Sequence, residues 1–256
     1  MDKSYWNRIG KNYSREIFHA LHSDRKGCLR RLLNRLAGPD KDVIDFGCGT
    51  GQFLPLLAEK CRYVRALDFS AGLLEQAAAR HRRFGNIEFY NVDLSLPRLK
   101  FEAAAWGLCV NVLIMENFSL RRRILQTIRR CLLPGGRLLL VLPSLESVFL
   151  TQQRLIEWNL RDGFTPRRAA EARIPGLSRR ALDRVHEGIF PVDGVPTKHY
   201  LKEELELFLS SGGFEMESIE KVEYGWETEF AGPPRWMKSP YPWDWAVVAR
   251  KSLSKK

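Results

Sequence analysis

Cysteine is scarce and unpatterned in this chain. Cys28, Cys48, Cys61, Cys109 and Cys131 fall at irregular spacing, with no Cys-x-x-Cys pair and no histidine at ligand distance in sequence. That pattern argues against a disulfide framework and against structural zinc, and predicts reduced thiols and no bound metal. Long apolar runs are also missing. The best candidate, residues 132–150, is broken by Pro134, Gly135, Gly136, Arg137, Pro143 and Glu146, whereas a membrane helix needs about 18–20 consecutive apolar residues. The opening Met-Asp-Lys-Ser-Tyr-Trp-Asn-Arg has no apolar core of the secretory kind, so a soluble, cytoplasmic protein is expected. Neither an internal repeat nor a low-complexity tract is visible.

What is present is an ordinary globular composition: 256 residues, 45% hydrophobic and 28% charged. Such a length accommodates one large α/β domain, or one domain carrying an embedded cap. The formal charge of +11 is uneven, because residues 1–200 hold 33 Lys/Arg against 20 Asp/Glu and residues 201–256 hold 8 against 10. Basicity of this kind is compatible with nucleic acid, an acidic substrate, an anionic membrane surface or no specific partner.

Short apolar runs alternate with amphipathic stretches, the pattern of a doubly wound, mostly parallel sheet with crossover helices. Strands are predicted at 43–46, 63–68, 87–91, 104–110 and 137–142, and helices at 54–60, 71–82 and 120–131. Pro134-Gly135-Gly136 is expected to form the turn before the fifth strand. Ahead of the sheet, residues 5–35 read as two helices; the second, 26–36, sets Leu29, Leu32, Leu33 and Leu36 on one face. Residues 145–200 are too long for a crossover loop and are expected to be a helical cap, with helices at 148–161, 166–173 and 179–186. A helix at 201–210 and antiparallel strands at 214–222 and 245–249 follow. The expected organisation is one domain: N-terminal helices (1–38), core (39–144), cap (145–200), and C-terminal helix and hairpin (201–256).

The most informative segment is Val43-Ile44-Asp45-Phe46-Gly47-Cys48-Gly49-Thr50-Gly51-Gln52-Phe53. A buried strand ending in Gly-x-Gly-x-Gly makes a turn whose backbone lies close to a ligand, since glycine tolerates positive φ and presents no Cβ. With Gln at position 52 it does not match the dinucleotide fingerprint Gly-x-Gly-x-x-Gly, which disfavours a nicotinamide enzyme. Asp45 is unusual inside an apolar strand, where a carboxylate needs a partner; it reads as an anchor for the loop or for a cationic ligand group. Asp68, 21 residues after Gly47, is spaced to accept both hydroxyls of a ribose. Asp93 ends the third strand at the same sheet edge, where ligands of parallel sheets bind.

Together these residues resemble the class I S-adenosylmethionine-dependent methyltransferases. The likeness runs through Asp45-Phe46-Gly47-Cys48-Gly49-Thr50-Gly51, Leu67-Asp68-Phe69-Ser70, Val92-Asp93-Leu94 and Leu132-Leu133-Pro134-Gly135-Gly136-Arg137-Leu138. It implies a seven-stranded sheet with an antiparallel C-terminal hairpin and S-adenosyl-L-methionine as cofactor. Asp45 would then lie near the cofactor's amino group, and residues 47–51 under its methionine and ribose, including Cys48 and Thr50. Asp68 would take the ribose hydroxyls, Phe69 and Ser70 following it would border adenine, and Asp93 and Leu94 would meet the adenine amine and ring. Asn111 would sit near the methyl. Tyr5, Trp6 and Tyr13 resemble a helix that closes over the cofactor.

Methyl transfer from a sulfonium is chiefly a matter of positioning and of excluding water. A general base is needed only for a protonated acceptor, and His186, His199, Tyr200 and Glu116 are its weak candidates. The end of the fourth strand reads Cys109-Val110-Asn111-Val112-Leu113-Ile114 rather than Asn-Pro-Pro-Tyr or Asp-Pro-Pro-Tyr, which disfavours the methylation of nucleobase or glutamine amino groups. Arg80-His81-Arg82-Arg83, Arg121-Arg122-Arg123 and Arg129-Arg130 read as solvated helix faces. Arg161, Arg167, Arg168, Arg173, Arg179, Arg180 and Arg184 of the cap either face solvent or receive an acidic acceptor. The expectation is therefore a methyltransferase for a small or medium-sized acceptor. The alternatives are a catalytically silent binding subunit and a protein or RNA methyltransferase docking through the cap.

Overall fold

The computed structural model describes residues 20–96, 99, 101–171, 184–192 and 194–253. Tyr5, Trp6, Tyr13, Arg173, Arg179 and Arg180, and with them the first N-terminal helix and most of the 179–186 helix, lie outside these residues. A short helical turn, α1 (Ala20–Ser23), precedes α2 (Cys28–Leu36), whose four leucines are buried while Arg30, Arg31 and Arg35 point outward. The core follows as β1 (Asp42–Phe46), α3 (Leu54–Lys60), β2 (Tyr63–Asp68), α4 (Ala71–His81), β3 (Ile87–Asn91), β4 (Ala104–Val110), α5 (Phe118–Arg130) and β5 (Leu132–Pro143). Asn117 caps α5 by accepting from the Leu120 amide at 2.9 Å, which starts that helix two residues earlier than periodicity predicts.

The sheet has seven strands in the order β3-β2-β1-β4-β5-β9-β8, completed by β8 (Phe214–Glu223) and β9 (Trp243–Lys251). β1 to β5 run parallel, and β9 and β8 antiparallel to their neighbours. Successive strand residues face opposite layers. Val43, Ala66, Leu108 and Val141 pack on α2, α3 and α4, while Ile44, Leu67, Cys109 and Leu140 pack on α5 and α8 (Lys202–Ser211). Covering both faces explains why these strands are apolar throughout rather than alternating. The order reverses between β1 and β4, so the crevice for a ligand opens beyond the carboxyl ends of those two strands.

Two expectations need correction. Pro134-Gly135-Gly136 does not precede the fifth strand but bulges within it: Leu132 already pairs with Ala104, and Arg137 with Trp106. The bulge needs Gly135 at φ 71° and a bare Gly136, where a Cβ would come within 3.0 Å of the Leu133 and Ala105 carbonyls. Nor is the insert purely helical. After α6 (Leu145–Arg161) and α7 (Pro166–Glu171) comes a two-stranded ribbon, β6 (Ile189–Val192) and β7 (Val195–Lys198). Pro191 faces Pro196 across it, a pair that donates no hydrogen bond and so is tolerated in an isolated ribbon. The dipeptide Asp193-Gly194 is a hairpin signal that the flanking prolines obscure. The ends of the insert meet: Tyr200 N–H donates to Pro143 O at 2.8 Å, and Leu145 N–H to Tyr200 O at 3.0 Å.

Candidate functional site at the carboxyl edge of the sheet

β1 ends in a turn built by its glycines. Gly47, Gly49 and Gly51 adopt φ of 73°, 54° and 83°, the left-handed region that costs other residues about 1–2 kcal/mol. Space is restricted as well. A Cβ on Gly47 would lie 2.4 Å from Val112 Cγ2, and one on Gly51 would lie 2.7 Å from both His81 Cδ2 and Leu54 Cδ1. The amides of Gly47 and Cys48 both donate to Leu67 O, at 2.8 and 2.9 Å, which pulls the turn onto the end of β2.

Asp68 braces this turn. Its Oδ2 accepts from Gly49 N–H at 3.0 Å and its Oδ1 from Ser70 N–H at 2.8 Å. Burial raises its carboxyl, and the backbone donors at Ser70, Gly49 and Phe69 pull the other way. A carboxylate has about four acceptor positions, so capacity remains for a ligand's hydroxyls. Cys48 is buried, its thiol held well above its usual range by burial and then by Asp45 and Asp68, so no thiolate nucleophile is available there. Thr50 and Ser70 are buried, and Phe69 half-buried, in the same turn-and-strand edge. Leu94 is buried too, whereas Asp93 is exposed and uses Oδ1 to accept Ser95 N–H at 2.8 Å.

Asp45 and Asn111 differ from all of these. Asp45 is 2% exposed, and its Oδ2 has no hydrogen-bond partner among the described residues; the same is true of the buried Oδ1 of Asn111. Asn111 follows β4 at φ 53°, the one non-glycine described residue with positive φ, and its N–H still donates to Val141 O at 3.0 Å. Burial, then the nearby Asp68, pushes the Asp45 carboxyl up to about 7. An unanswered buried polar atom costs about 1–3 kcal/mol, and two of them at the switch point leave acceptors for a donor-rich ligand.

The four general-base candidates are arranged otherwise. Tyr200 is fully buried and its hydroxyl donates to Leu113 O at 2.6 Å; burial raises its pKa further. His199 is buried edge-on to Phe190, its Nδ1 3.0 Å from Thr197 O, and burial lowers it to about 4. Glu116 is bound to Arg184, and His186 is exposed beside Glu187. Cap arginines are similarly engaged: Arg161 with Glu157 and over the Trp236 ring at 3.9 Å, Arg167 with Glu171, and Arg184 also with Glu187.

Two basic residues read as solvated are not. The His81 ring lies against the glycine turn; burial lowers its pKa, opposed by backbone hydrogen bonds at Thr50 and Gly51. Arg121 is only 5% exposed and donates to the Met115 and Glu116 carbonyls at 2.5 and 2.8 Å. No sequence signal marks either, because each sits in a run of basic residues whose other members are exposed. Among the described residues no group of His, Cys, Asp and Glu is arranged to hold a metal ion, and no helix is long and apolar enough to cross a membrane.

The comparisons agree with this architecture. The family described as "Methyltransferase domain" matches residues 44–140. A demethylmenaquinone methyltransferase of Tropheryma whipplei (strain Twist) is 31% identical over 143 residues, 53% of this chain and 56% of the relative. A malonyl-[acyl-carrier protein] O-methyltransferase of Serratia marcescens is 33% identical over 105 residues, 40% of this chain and 38% of the relative. The chain thus spans about half or less of the length of these curated relatives. The fold is shared with the N-methyltransferase NodS from Bradyrhizobium japonicum WM9, solved with S-adenosyl-L-homocysteine, at a TM-score of 0.60, 14% identity and 97% coverage of both chains. A methyltransferase-domain model thus matches the segment that carries the glycine turn, and the seven-stranded sheet has the fold of solved S-adenosylmethionine-dependent methyltransferases.

Proposed function

We propose that the protein transfers a methyl group from S-adenosyl-L-methionine to a small or medium-sized acceptor held beneath the 145–200 insert. The observation that carries this reading is the pair of unanswered oxygens, Asp45 Oδ2 and Asn111 Oδ1, beside a turn that close contacts keep bare. They fit the donor set of the cofactor's ammonium. Asp68 retains acceptor capacity for ribose hydroxyls while holding the turn; Phe69 and Leu94 supply apolar surface for a purine, and Asp93 an acceptor at its edge. When bound, the cofactor supplies a methyl on a sulfonium, already activated for in-line displacement. The chain's part is then to hold that methyl and the acceptor atom about 3 Å apart and to exclude water. Tyr200 is a committed donor to Leu113 O, His199 is buried against Phe190, Glu116 is paired with Arg184 and His186 is exposed; an acceptor that reaches the site already deprotonated needs no base from among them.

Titration calorimetry tests the reading. S-adenosyl-L-methionine and S-adenosyl-L-homocysteine should bind and NAD should not; tight NAD binding with no response to the other two would overturn it.

A further inference from the structure

The segment 111–117 joins β4 to α5; it begins at Asn111, held at positive φ, and sets Val112 against Gly47 of the glycine turn. Each of its next four carbonyls is taken by a group from elsewhere. Leu113 O accepts from the Tyr200 hydroxyl at 2.6 Å, and Ile114 O from Lys198 N–H at 2.7 Å. Met115 O and Glu116 O share one guanidinium nitrogen of Arg121. Tyr200 is also the joint that closes the insert, through its backbone bonds to Pro143 and Leu145. The Arg121 guanidinium lies 5.9 Å from the centre of the Tyr200 ring, so the two side chains form one contact. Tyr200 is a weak general-base candidate on sequence, but its hydroxyl is a committed donor to a backbone carbonyl in a buried position.

We propose that Tyr200 and Arg121 are positioning residues, which fix the carbonyls at 113, 115 and 116, hold Asn111 in place and Val112 against the glycine turn, and so link the base of the insert to the cofactor edge. The proposal rests on the cofactor reading given above. Its consequence is thermodynamic: whatever seats under the insert and whatever binds at the turn favour the same position of 111–117, so each raises the other's affinity.

The test uses the whole chain, with S-adenosyl-L-homocysteine as probe, in Tyr200→Phe and Arg121→Lys. Tyr200→Phe removes one hydroxyl, and Arg121→Lys keeps the charge but replaces the planar guanidinium, one nitrogen of which serves both carbonyls, with a shorter, more mobile ammonium. Three quantities are read: dissociation constant by calorimetry well below the unfolding temperature, amide exchange of residues 111–117 by mass spectrometry, and melting temperature. Each variant should weaken binding about five- to tenfold, as expected for one lost buried hydrogen bond, and should speed exchange selectively at 111–117. The double variant should weaken binding less than the product of the single effects, because both act through one segment. A melting temperature that drops while affinity and local exchange stay as in the wild type would overturn the proposal, since a purely structural role moves only the first. If one variant does not fold, the other decides. A wild-type chain that binds no probe would instead overturn the cofactor reading, and local exchange would then decide separately whether the two side chains fix the segment.

Discussion

The 145–200 insert and the glycine turn treat polar groups in opposite ways. On the cap side many of the described charges are answered within the protein: Arg184 by Glu116 and Glu187, Arg161 by Glu157, Arg167 by Glu171, and Lys198 by Glu204 and the Glu187 carbonyl. On the turn side Asp45 and Asn111 each keep a buried oxygen with no partner among the described residues. Arginine pairs of the first kind, largely exposed, are worth little to stability, whereas Lys198 is buried. Unmet groups of the second kind are a standing cost, retained where a ligand supplies the missing partner. The polar design of the molecule is therefore concentrated at the turn.

The contrast can be broken most severely at Gly47. Gly47→Ala forces a Cβ into Val112 and holds alanine at φ 73°, so a loss of about 2–4 kcal/mol in urea unfolding is expected, together with loss of cofactor binding. Asp45→Asn should act in opposite directions on the free and bound protein. Because burial raises the Asp45 carboxyl to about 7, its contribution to stability is present in full below its unfolded value and is lost as pH rises through 7. The variant should therefore be more stable than the wild type at pH 8, by on the order of 1–3 kcal/mol, and equal to it near pH 4, yet bind S-adenosyl-L-homocysteine at least tenfold more weakly. Asp244 shares the same sign: burial pushes it to about 7, with Tyr224 donating to it and Glu229 adding repulsion. A residual slope should thus persist in the Asp45 variant. On the cap side, Arg167→Ala should change stability by no more than about 0.5 kcal/mol, since that pair is exposed, and should leave cofactor affinity unchanged. A larger effect there would erase the distinction between the two sides.

Much of the turn side was readable in advance because backbone chemistry leaves local marks. Gly47, Gly49 and Gly51 announce positive φ, and a charged residue between Ile44 and Phe46 announces a special position. Asp68 shows the limit of such marks: spacing suggests ribose binding, while the fold also engages it in holding Gly49. The cap side left fewer marks. Arg121 is buried, and His81 half-buried against the glycine turn, by helix phase and tertiary contact, which a basic run conceals. Prolines that would break a central strand sit without cost in the β6–β7 ribbon, and the glycines of Pro134-Gly135-Gly136 serve a bulge as readily as a turn.

The central claim is that Asp45 awaits a cation. Calorimetry of S-adenosyl-L-homocysteine binding at pH 6.5, repeated in buffers of different ionisation enthalpy, counts the protons exchanged. Ionisation of Asp45 on meeting the ligand's ammonium predicts net proton release by the wild type, roughly half a proton or more per site for a group near 7, and none by Asp45→Asn. Equal affinity of the two proteins with no proton released by either would contradict the account.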